Sequence, residues 1–374
     1  MFHLARELND RGALARFYTG YPHFKLGDKG IPRSAVRTFP WLIAPYMGFP
    51  WHDRIGIKAF RQWEYLNRVT LDRYVARRME DCDVFVGLSS AALESGKRIQ
   101  SMGGRFVLDR GCTHIGHQDD IVAEEHALWK QPHMRIDPRT IALEEAEYAL
   151  ADGITVPSSL SRRTFIERGV PAEKIHVLPY GVNLADFYPS GQPSPDHFDV
   201  LFAGGANLRK GIPYLLQAFQ KFKHPAKRLW FAGSMPESFV EMMRGLGLWS
   251  DDYNVLGHLS QSELRNRMSK SHVMVLPSVE EGLALVQAQA LACGCPVIAT
   301  ENTGAIDLFD DGEAGFILPV RRPDLILERL QALADEPELR SRLSQGALNT
   351  VTRIGGWKEY GNKASHIYKN LLAA

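Results

Sequence analysis

Short apolar runs separated by helical stretches fill the second half of the chain. Continuous apolar runs of this kind indicate strands that are covered on both faces of a parallel sheet. The predicted strands are Asp199–Ala203, Arg228–Ala232, Asn254–Leu256, His272–Leu276, Pro296–Thr300 and Gly315–Leu318, and the predicted helices are Ile212–Phe222, Pro236–Leu246, Ser260–Ser269, Leu285–Ala292 and Pro323–Ala334. This alternation predicts a doubly wound α/β domain.

The first half repeats the pattern less regularly. The predicted strands are Ala13–Tyr18, Val84–Leu88, Phe106–Leu108, Gly153–Val156 and Ile175–Pro179, and the predicted helices are Phe2–Asp10, Arg61–Met79, Ala91–Met102, Ile121–Leu128 and Pro138–Leu150. A doubly wound domain normally places a strand and a glycine-rich turn before its first helix. The sequence opens on the helix, so we expect the first strand of this domain to be absent.

Two segments divide the chain. The stretch PSGQPSPDH at Pro189–His197 has the composition of a connector. We therefore predict one Rossmann-like domain at residues 1–188 and a second at residues 189–354. Gly355 and Gly356 precede a final helix, so residues 355–374 are predicted to pack back on the first domain.

Charge is balanced overall but unevenly distributed. The net charge of +1 gives no support to a nucleic-acid partner. Residues 1–78 nevertheless hold 14 Lys and Arg against 6 Asp and Glu. These basic residues are interleaved with the aromatic residues Phe39, Trp41, Tyr46, Phe49, Trp51, Phe60, Trp63 and Tyr65. The region predicts either a surface for an anionic or membrane partner, or a solvated basic face over an ordinary aromatic core.

The four cysteines are Cys82, Cys112, Cys293 and Cys295. The sequence shows no signal peptide and no apolar run near the roughly 20 residues of a membrane span. We therefore expect a cytoplasmic protein with reduced thiols. Cys293 and Cys295 lack the further ligands of a zinc site, and tight packing at a helix end explains them better.

An acidic pair, Asp81 and Asp83, has the D-x-D spacing of a known metal-binding motif. It precedes the predicted strand Val84–Leu88, so its carboxylates fall at the end of the sheet away from a ligand cleft. We predict no metal at this position.

The stretch FAGGANLRKG at Phe202–Gly211 is the first candidate site. An apolar strand ends in Gly204 and Gly205, where a ligand can approach the backbone closely. Arg209 and Lys210 then come just before a helix, where a positive charge can meet a diphosphate. The spacing is not that of a Walker loop.

The stretch EEGLALVQAQALACGCPV, from Glu280 to Val297, is the second candidate site. Glu281 and Gly282 form the turn between a buried strand and a helix, and Gln289 lies two turns further along. Unpaired amides at a helix N-terminus bind anions, and the candidate donors are those of Leu283, Ala284, Leu285 and Val286. The alternative is that Glu281 only complements the helix dipole.

The stretch RGCTHIGH supplies a third set, Arg110, His114 and His117, after a strand of the first domain. The alternative is a helix-capping or structural role. Glu124 and Glu125 are expected either to pair with this cluster or to lie on a solvated helix face.

These motifs resemble those of the retaining glycosyltransferases of family 4 (group 1), which have the GT-B fold of two facing Rossmann-like domains around a deep cleft. PSVEEGLALVQAQALACGCPVIAT is similar to the family's P-S-x-x-E-G-F-G-L-V-x-x-E-A-M-A-C-G-x-P-V-I, and TGAIDLFDDGEAGFILPV follows as in the family. TVPSSLSRRTFIERGVPAEKIHVLPYGVNLADFYP and FAGGANLRKG also match family segments. The motifs cover about residues 140–374, and the first half matches mainly in architecture.

The resemblance implies specific roles. Lys210 would hold the donor phosphates, Glu281 would contact the transferred sugar, and the amides after Gly282 would bind the diphosphate or sugar hydroxyls. The family's E-x₇-E pair places Gln289 where a second glutamate contacts the nucleotide ribose. Gly205 stands where the family often has an arginine, and Arg209 is the candidate replacement. Arg110, His114 and His117 lie about where related enzymes touch the sugar or acceptor.

The implied activity is retaining transfer of a sugar from a UDP-, GDP- or ADP-sugar to an acceptor hydroxyl, in the synthesis of a cell-surface polysaccharide or glycolipid. Neither a cofactor nor a metal is implied, and attack is expected on the front face. The expected acceptor is a saccharide or a lipid-linked molecule. The basic aromatic region favours a lipid-linked or polyanionic acceptor and peripheral contact with the inner face of the cytoplasmic membrane. Two alternatives remain: a non-catalytic partner subunit, which the departures at Gln289 and Gly205 favour, and a phosphorylase-type enzyme.

Overall fold

The computed structural model describes residues 1–27, 29–48 and 56–373. In the first half the helices are α1 (Phe2–Asp10), α2 (His23–Leu26), α3 (Ile43–Gly48), α4 (Ile57–Arg78), α5 (Leu93–Ser101), α6 (Ile115–Leu128), α7 (Pro138–Leu150) and α8 (Ser159–Glu167). The strands of this half are β1 (Phe17–Thr19), β2 (Val36–Thr38), β3 (Val84–Leu88), β4 (Arg105–Asp109), β5 (Gly153–Val156) and β6 (Ile175–Val177).

The second half alternates regularly. Its strands are β7 (Phe198–Ala203), β8 (Lys227–Ala232), β9 (Asn254–Gly257), β10 (Val273–Leu276), β11 (Val297–Thr300) and β12 (Gly315–Leu318). Its helices are α9 (Ile212–Lys221), α10 (Glu237–Gly245), α11 (Gln261–Ser269), α12 (Leu285–Ala292), α13 (Pro323–Asp335), α14 (Pro337–Ile354) and α15 (Trp357–Ala373).

The six strands of the second half form one parallel sheet in the order β12-β11-β10-β7-β8-β9. The chain builds outward from β7 to β9 and then returns to the other side of β7 with β10. Every residue of β7 is buried, as continuous apolar runs predict for a sheet covered on both faces. The return leaves a topological switch point between β7 and β10, where open α/β sheets bind ligands.

The first half contains a four-stranded parallel sheet, β3-β4-β5-β6, and a separate parallel pair, β1-β2. The predicted α/β architecture is confirmed, but the short helices α2 and α3 were not predicted, and neither were three further elements. The strand β2 is a three-residue segment with a central arginine, so it has no apolar run. The helix α8 opens on a polar SLSRR stretch, and α14 follows α13 after the single residue Glu336.

The two passages of the chain between the domains run side by side. A Cβ at Gly181 would lie 2.4 Å from the carbonyl carbon of Gly356, and the Val182 amide donates to the Gly355 carbonyl over 3.3 Å. Val182 and Phe187 are already buried in the second core. The proline-rich stretch at residues 189–197 therefore lies on the surface of the second domain, beyond the point where the chain joins it.

The last helix packs on the first. Arg11, which follows α1 directly, donates to the Lys358 carbonyl over 2.9 Å and to Asn362 Oδ1 over 2.7 Å, both on α15. A Cβ at Gly361 would lie 2.6 Å from Glu7 Cβ, so α1 and α15 approach closely at this glycine. The chain thus returns to the first domain after completing the second.

The basic aromatic region has both a packed and an exposed part. Tyr46 stacks on Phe60 at 5.2 Å and meets Trp63 edge-on at 5.7 Å. Phe24 and Trp41, in contrast, are 81% and 76% exposed. Phe49 and Trp51 lie outside the described residues. Over the described parts of the chain, no helix is long and apolar enough to cross a bilayer.

Candidate active site

Two turns meet at the switch point of the second sheet. One follows β7 and the other follows β10, and these strands are neighbours through the pairs Val200↔Val273 and Leu201↔Met274. The turns therefore emerge side by side at the carboxyl edge of the sheet. This is the arrangement in which the two sequence motifs were expected to share one ligand.

The turn after β7 presents Lys210 through a rigid local structure. Asn207 Oδ1 accepts from the Lys210 amide over 3.1 Å and caps a short 3₁₀ turn. Gly211 follows at φ +67, and a Cβ there would lie 1.9 Å from the Pro277 carbonyl oxygen at the end of β10. Glycine is needed at this position because both the conformation and the close approach exclude a side chain. Gly205 is different, since a Cβ there would meet nothing within 4 Å.

The two turns join through charged side chains. The Lys210 ammonium group donates to the Glu281 carboxylate, to which Ser278 Oγ also donates over 3.2 Å. Arg209 Nη1 lies 3.0 Å from Glu280 Oε2 and 3.8 Å from Glu281 Oε2. Each cation therefore has a carboxylate partner, and the Lys210 and Glu281 side chains are 16% and 10% exposed.

The amides beyond Glu281 are partly occupied. The Ala284 amide donates to the Thr303 carbonyl over 3.2 Å, so it is not available to a ligand as the sequence prediction required. Within the described residues, the amides of Gly282, Leu283, Leu285 and Val286 make no backbone hydrogen bond. These amides, at or just before the first turn of α12, keep the anion-binding character of a helix N-terminus.

Gln289 is half-buried on α12, two turns from Glu281, as the sequence spacing predicted. In the described structure its side chain makes no hydrogen bond. Gln287, its neighbour on the buried face, donates from Nε2 to the Thr303 carbonyl over 2.9 Å. The side-chain amide of Gln287 therefore has a structural role, because it holds α12 to the Thr303 carbonyl. The side-chain amide of Gln289 remains available to a ligand.

The first domain contacts the site directly at Gly282. A Cβ there would lie 2.2 Å from the Gly111 carbonyl oxygen and 2.8 Å from Cys112 Cα. Ser158 Oγ, also in the first domain, donates to the Gly282 carbonyl over 2.6 Å. The two domains thus touch at the turn that carries Glu281.

Arg110 and His114 take the structural roles that the sequence left as the alternative. The Arg110 guanidinium donates to Glu144 Oε1 and Gln118 Oε1, each over 2.9 Å. His114 caps α6, since its Nδ1 accepts from the Gly116 amide over 3.1 Å, and its ring is 3% exposed. Burial is the main cause that lowers the pKa of His114 to about 4, so the ring is neutral near pH 7. Both side chains are thus engaged by partners within the first domain.

His117 differs from these two. It lies half-buried on the first turn of α6, and in the described structure its ring makes no hydrogen bond. Burial lowers its pKa, while the negative charge of Glu280 partly opposes that effect. Of the three predicted residues of this stretch, His117 is the one whose side chain makes no hydrogen bond in the described structure, while Glu280 lies close enough to influence its pKa.

Two buried glutamates at the contact between the domains were not predicted correctly from the sequence. Glu280 was not singled out, although it is 1% exposed and bonded to both domains. The expectation that Glu124 and Glu125 pair with the Arg110 cluster or lie on a solvated face was wrong for Glu125. It is fully buried and accepts from Arg321 Nε and Tyr214 Oη of the second domain, each over 2.8 Å. Glu124 pairs with the same arginine over 2.9 Å.

The cysteines are free thiols, with Cys293 and Cys295 buried beyond the end of α12. Asp81 and Asp83 precede β3, at the amino edge of the first sheet. Among the described residues, no group of three or more His, Cys, Asp or Glu side chains is placed to hold a metal ion.

Two family models together match nearly the whole chain. The model described as Glycosyltransferase Family 4 matches residues 1–186, and the one described as Glycosyl transferases group 1 matches residues 188–350. The chain belongs to the group 1, family 4 glycosyltransferases. The predicted family is thereby confirmed, and the chain is a glycosyltransferase.

Curated relatives carry related names. D-inositol 3-phosphate glycosyltransferase 1 of Catenulispora acidiphila is 27% identical over 293 residues, which are 72% of this chain and 70% of that protein. The D-inositol 3-phosphate glycosyltransferase of Streptomyces bingchenggensis is 30% identical over 227 residues. That match spans 54% of this chain and 49% of the relative, about half of each.

Solved structures share the fold of the whole glycosyltransferase. Sucrose-phosphate synthase of Thermosynechococcus elongatus superimposes with a TM-score of 0.72 at 22% identity, covering 99% of this chain and 92% of the other. Anabaena Alr3699/HepE in complex with UDP-glucose gives 0.71 at 16% identity, covering 99% and 94%. The predicted GT-B fold is confirmed.

Proposed function

We propose that this glycosyltransferase moves a sugar from a nucleoside-diphosphate sugar to a hydroxyl of a saccharide or lipid-linked acceptor, with retention of anomeric configuration. The observation that carries the proposal is the charged cluster at the switch point. There Lys210, Arg209 and the amides after Gly282 converge on one place beside Glu281. A UDP-, GDP- or ADP-sugar offers a diphosphate for the first three groups and sugar hydroxyls for the carboxylate.

The ion pair between Lys210 and Glu281 indicates how the donor would bind. Lys210 is paired with Glu281, and the donor phosphates compete with that carboxylate for the ammonium group. Once Lys210 turns to the diphosphate, Glu281 is free to accept hydrogen bonds from the sugar. As the glycosidic bond breaks, negative charge grows on the leaving phosphate, and Lys210 and the helix amides are positioned to stabilise it. A metal ion is not required for this charge stabilisation.

The proposed retention proceeds by front-face attack. A double displacement needs a carboxylate free to attack the anomeric carbon. In the proposed complex the carboxylates of the cluster have other partners: Glu281 accepts from Ser278 and from the sugar hydroxyls, and Glu280 accepts from Arg209 and from Thr113 and Gln118 of the first domain. In the proposed mechanism the departing phosphate therefore takes the acceptor proton, and contact between the domains excludes water.

The test is a donor panel with UDP-, GDP- and ADP-sugars, followed by release of free nucleotide and by NMR of the product's anomeric centre. We expect one donor to be consumed, the product to keep the donor's configuration, and turnover to survive excess EDTA. Inversion would refute the front-face step, and loss of turnover with EDTA that added magnesium restores would refute metal independence. Nucleotide binding without transfer to any saccharide or lipid acceptor would support the alternative of a non-catalytic subunit, for which Gln289 is the motivating departure.

We also propose peripheral contact with an anionic cytoplasmic membrane surface, where a lipid-linked acceptor for a polysaccharide or glycolipid would lie. Phe24 and Trp41 expose most of their aromatic surface, and Ile57 is 52% exposed at the start of α4. Lys25 and Lys58 are exposed next to Phe24 and Ile57. Apolar side chains beside lysines suit the boundary between acyl chains and anionic headgroups.

The membrane proposal is tested by flotation with phosphatidylglycerol vesicles and with phosphatidylcholine vesicles. We expect binding to the anionic vesicles and its loss in the double variant Phe24→Ser/Trp41→Ser. Ile306→Ser is the matched control, because Ile306 is a 63% exposed apolar residue of the second domain. Equal binding by both variants, or no binding by the unmodified protein, would refute the proposal.

A further inference from the structure

Glu280 joins the donor turn, the turn after β10 that carries Glu281 and Gly282, to the first domain. It directly precedes Glu281 but points elsewhere, and it is 1% exposed. Its Oε1 accepts from Thr113 Oγ1 over 2.6 Å, and its Oε2 accepts from Gln118 Nε2 over 3.1 Å. The same Oε2 accepts from Arg209 Nη1 over 3.0 Å. Two of the three hydrogen-bond donors to Glu280, Thr113 and Gln118, thus belong to the first domain. The third, Arg209, belongs to the proposed phosphate site.

The charge on Glu280 is held in place by these partners. Burial raises the pKa of the Glu280 carboxyl, but Arg209, together with the Thr113 and Gln118 hydrogen bonds, outweighs burial and holds that pKa below its usual value. A buried carboxylate of this kind is costly when a partner is removed, because the remaining charge is then incompletely compensated. Separation of the domains would remove two of its three partners at once.

Arg209 lies between two carboxylates, and Glu280 decides which one it approaches. The guanidinium is 3.0 Å from Glu280 and 3.8 Å from Glu281. It also donates to the Glu280 carbonyl over 3.3 Å. While Glu280 holds Arg209, Glu281 is left to Lys210 and Ser278. Without the Glu280 charge, Arg209 would turn toward Glu281 and draw the sugar-binding carboxylate away from its place.

We propose that Glu280 is a positioning residue that couples contact between the domains to the placement of Arg209 beside the donor diphosphate. This inference rests on the proposed function in one respect, that the donor is a nucleoside-diphosphate sugar. Glu280 itself touches neither phosphate nor sugar. It fixes Arg209 when Thr113 and Gln118 are in contact, so that the closed arrangement holds the diphosphate more tightly than the separated domains do.

Four proteins test the inference: the unmodified enzyme, Glu280→Gln, Thr113→Val and their double variant. Thr113→Val removes the hydroxyl from the first domain with little change of shape and leaves the donor turn intact. Glu124→Gln is the matched control, since it also removes an ion pair between the domains, the one with Arg321. UDP, GDP and ADP are first compared with the unmodified protein, and the diphosphate that binds most tightly is used throughout. The measured quantities are its Kd, the donor KM, kcat and the unfolding temperature.

We expect Glu280→Gln to raise Kd about tenfold, because the charge that fixes Arg209 is lost. Thr113→Val should raise Kd about threefold, because it removes only one of the two hydrogen bonds from the first domain and leaves the Glu280 charge in place. The double variant should bind no more weakly than Glu280→Gln within a factor of two, because both changes act through the same contact. Glu124→Gln should leave Kd unchanged. In Glu280→Gln, kcat should fall together with the rise of KM.

Several results would overturn the inference. An unchanged Kd in Glu280→Gln, a lower unfolding temperature with unchanged kinetics, or full additivity in the double variant would each make Glu280 merely structural. If Glu280→Gln does not fold, an unchanged Kd in Thr113→Val overturns the coupling by itself. If the unmodified protein binds none of the three diphosphates, the proposed function fails and the inference fails with it.

Discussion

The cap of α6 predicts how the stability of this glycosyltransferase depends on pH. His114 accepts a hydrogen bond from the Gly116 amide through a neutral ring nitrogen, and its ring packs between Tyr148 and Phe165 at centroid distances of 5.0 and 5.1 Å. Protonation would remove the acceptor and place a charge in an apolar setting. The informative change is His114→Asn, which keeps a side-chain acceptor suited to an N-cap but cannot titrate.

The magnitude follows from the lowered pKa. The unfolded chain takes up the His114 proton near pH 6.5, whereas the folded protein takes it up only near pH 4. Because the unfolded state binds more protons between these values, stability falls as the pH is lowered through this window. At about 1.4 kcal/mol per pKa unit, His114 alone lowers the free energy of unfolding by about 2 kcal/mol between pH 8 and pH 5.

The assay is urea unfolding of the unmodified protein and of two variants at pH 8 and pH 5, followed by circular dichroism. We expect the difference between the two pH values to shrink by about 2 kcal/mol in His114→Asn. His114→Ala should show the same smaller difference but be about 1 kcal/mol less stable than His114→Asn at both pH values, because its cap is gone. An unchanged pH dependence in both variants would refute the assignment of a buried neutral histidine.

Other predictions address the site and the second sheet. Lys210→Met should lower turnover at least a hundredfold in the donor assay, and a loss below threefold would exclude Lys210 from charge stabilisation. Gly282→Ala places a methyl group against backbone of the first domain, so it should lower turnover at least tenfold and also lower the melting temperature in calorimetry; Gly245→Ala, whose Cβ meets nothing within 4 Å, is its control. Gln289→Glu should change donor Kd in titration calorimetry more than stability, and no response of Kd or turnover would refute the ribose assignment. Asp199→Asn removes a buried carboxylate that accepts from two arginines and a tryptophan, so urea unfolding should show a loss of about 3 kcal/mol with nucleotide Kd unchanged.

Local patterns predicted most of the architecture. The strands β7 to β12 and the helix α12 follow from apolar runs and their flanking glycines, and their bounds agree with prediction within about two residues. The strand β2 carries no such signal, because three residues with a central Arg37 bury too little apolar surface to form a run. The helix α6 begins six residues before its predicted start, since a histidine cap is not among the usual N-cap residues.

Contacts between side chains of the site could be predicted only where both residues follow the ends of adjacent strands. Lys210 and Glu281 could be placed together because the ends of adjacent parallel strands meet at one edge of a sheet. The partner of Glu125 could not, since Arg321 is almost two hundred residues away and lies outside every recognisable motif. Charge patterning along a helix cannot distinguish a solvated glutamate from one buried against another domain.

The residues that sequence reasoning missed share a location, and that location bears on mechanism. Glu125 and Glu280 are both buried carboxylates that accept hydrogen bonds from the opposite domain as well as from their own. The contact between the domains also includes Gly282, a predicted site residue, where backbone of the first domain lies in the place of a side chain. A buried charge that loses one of its partners destabilises the protein, because the remaining charge is no longer compensated. Opening of the domains would therefore expose several unpaired charges to water at once, and contact would pair them again. The donor turn lies among these pairs, so binding at Lys210 and contact between the domains are expected to favour each other, as linkage requires of two events that stabilise one state.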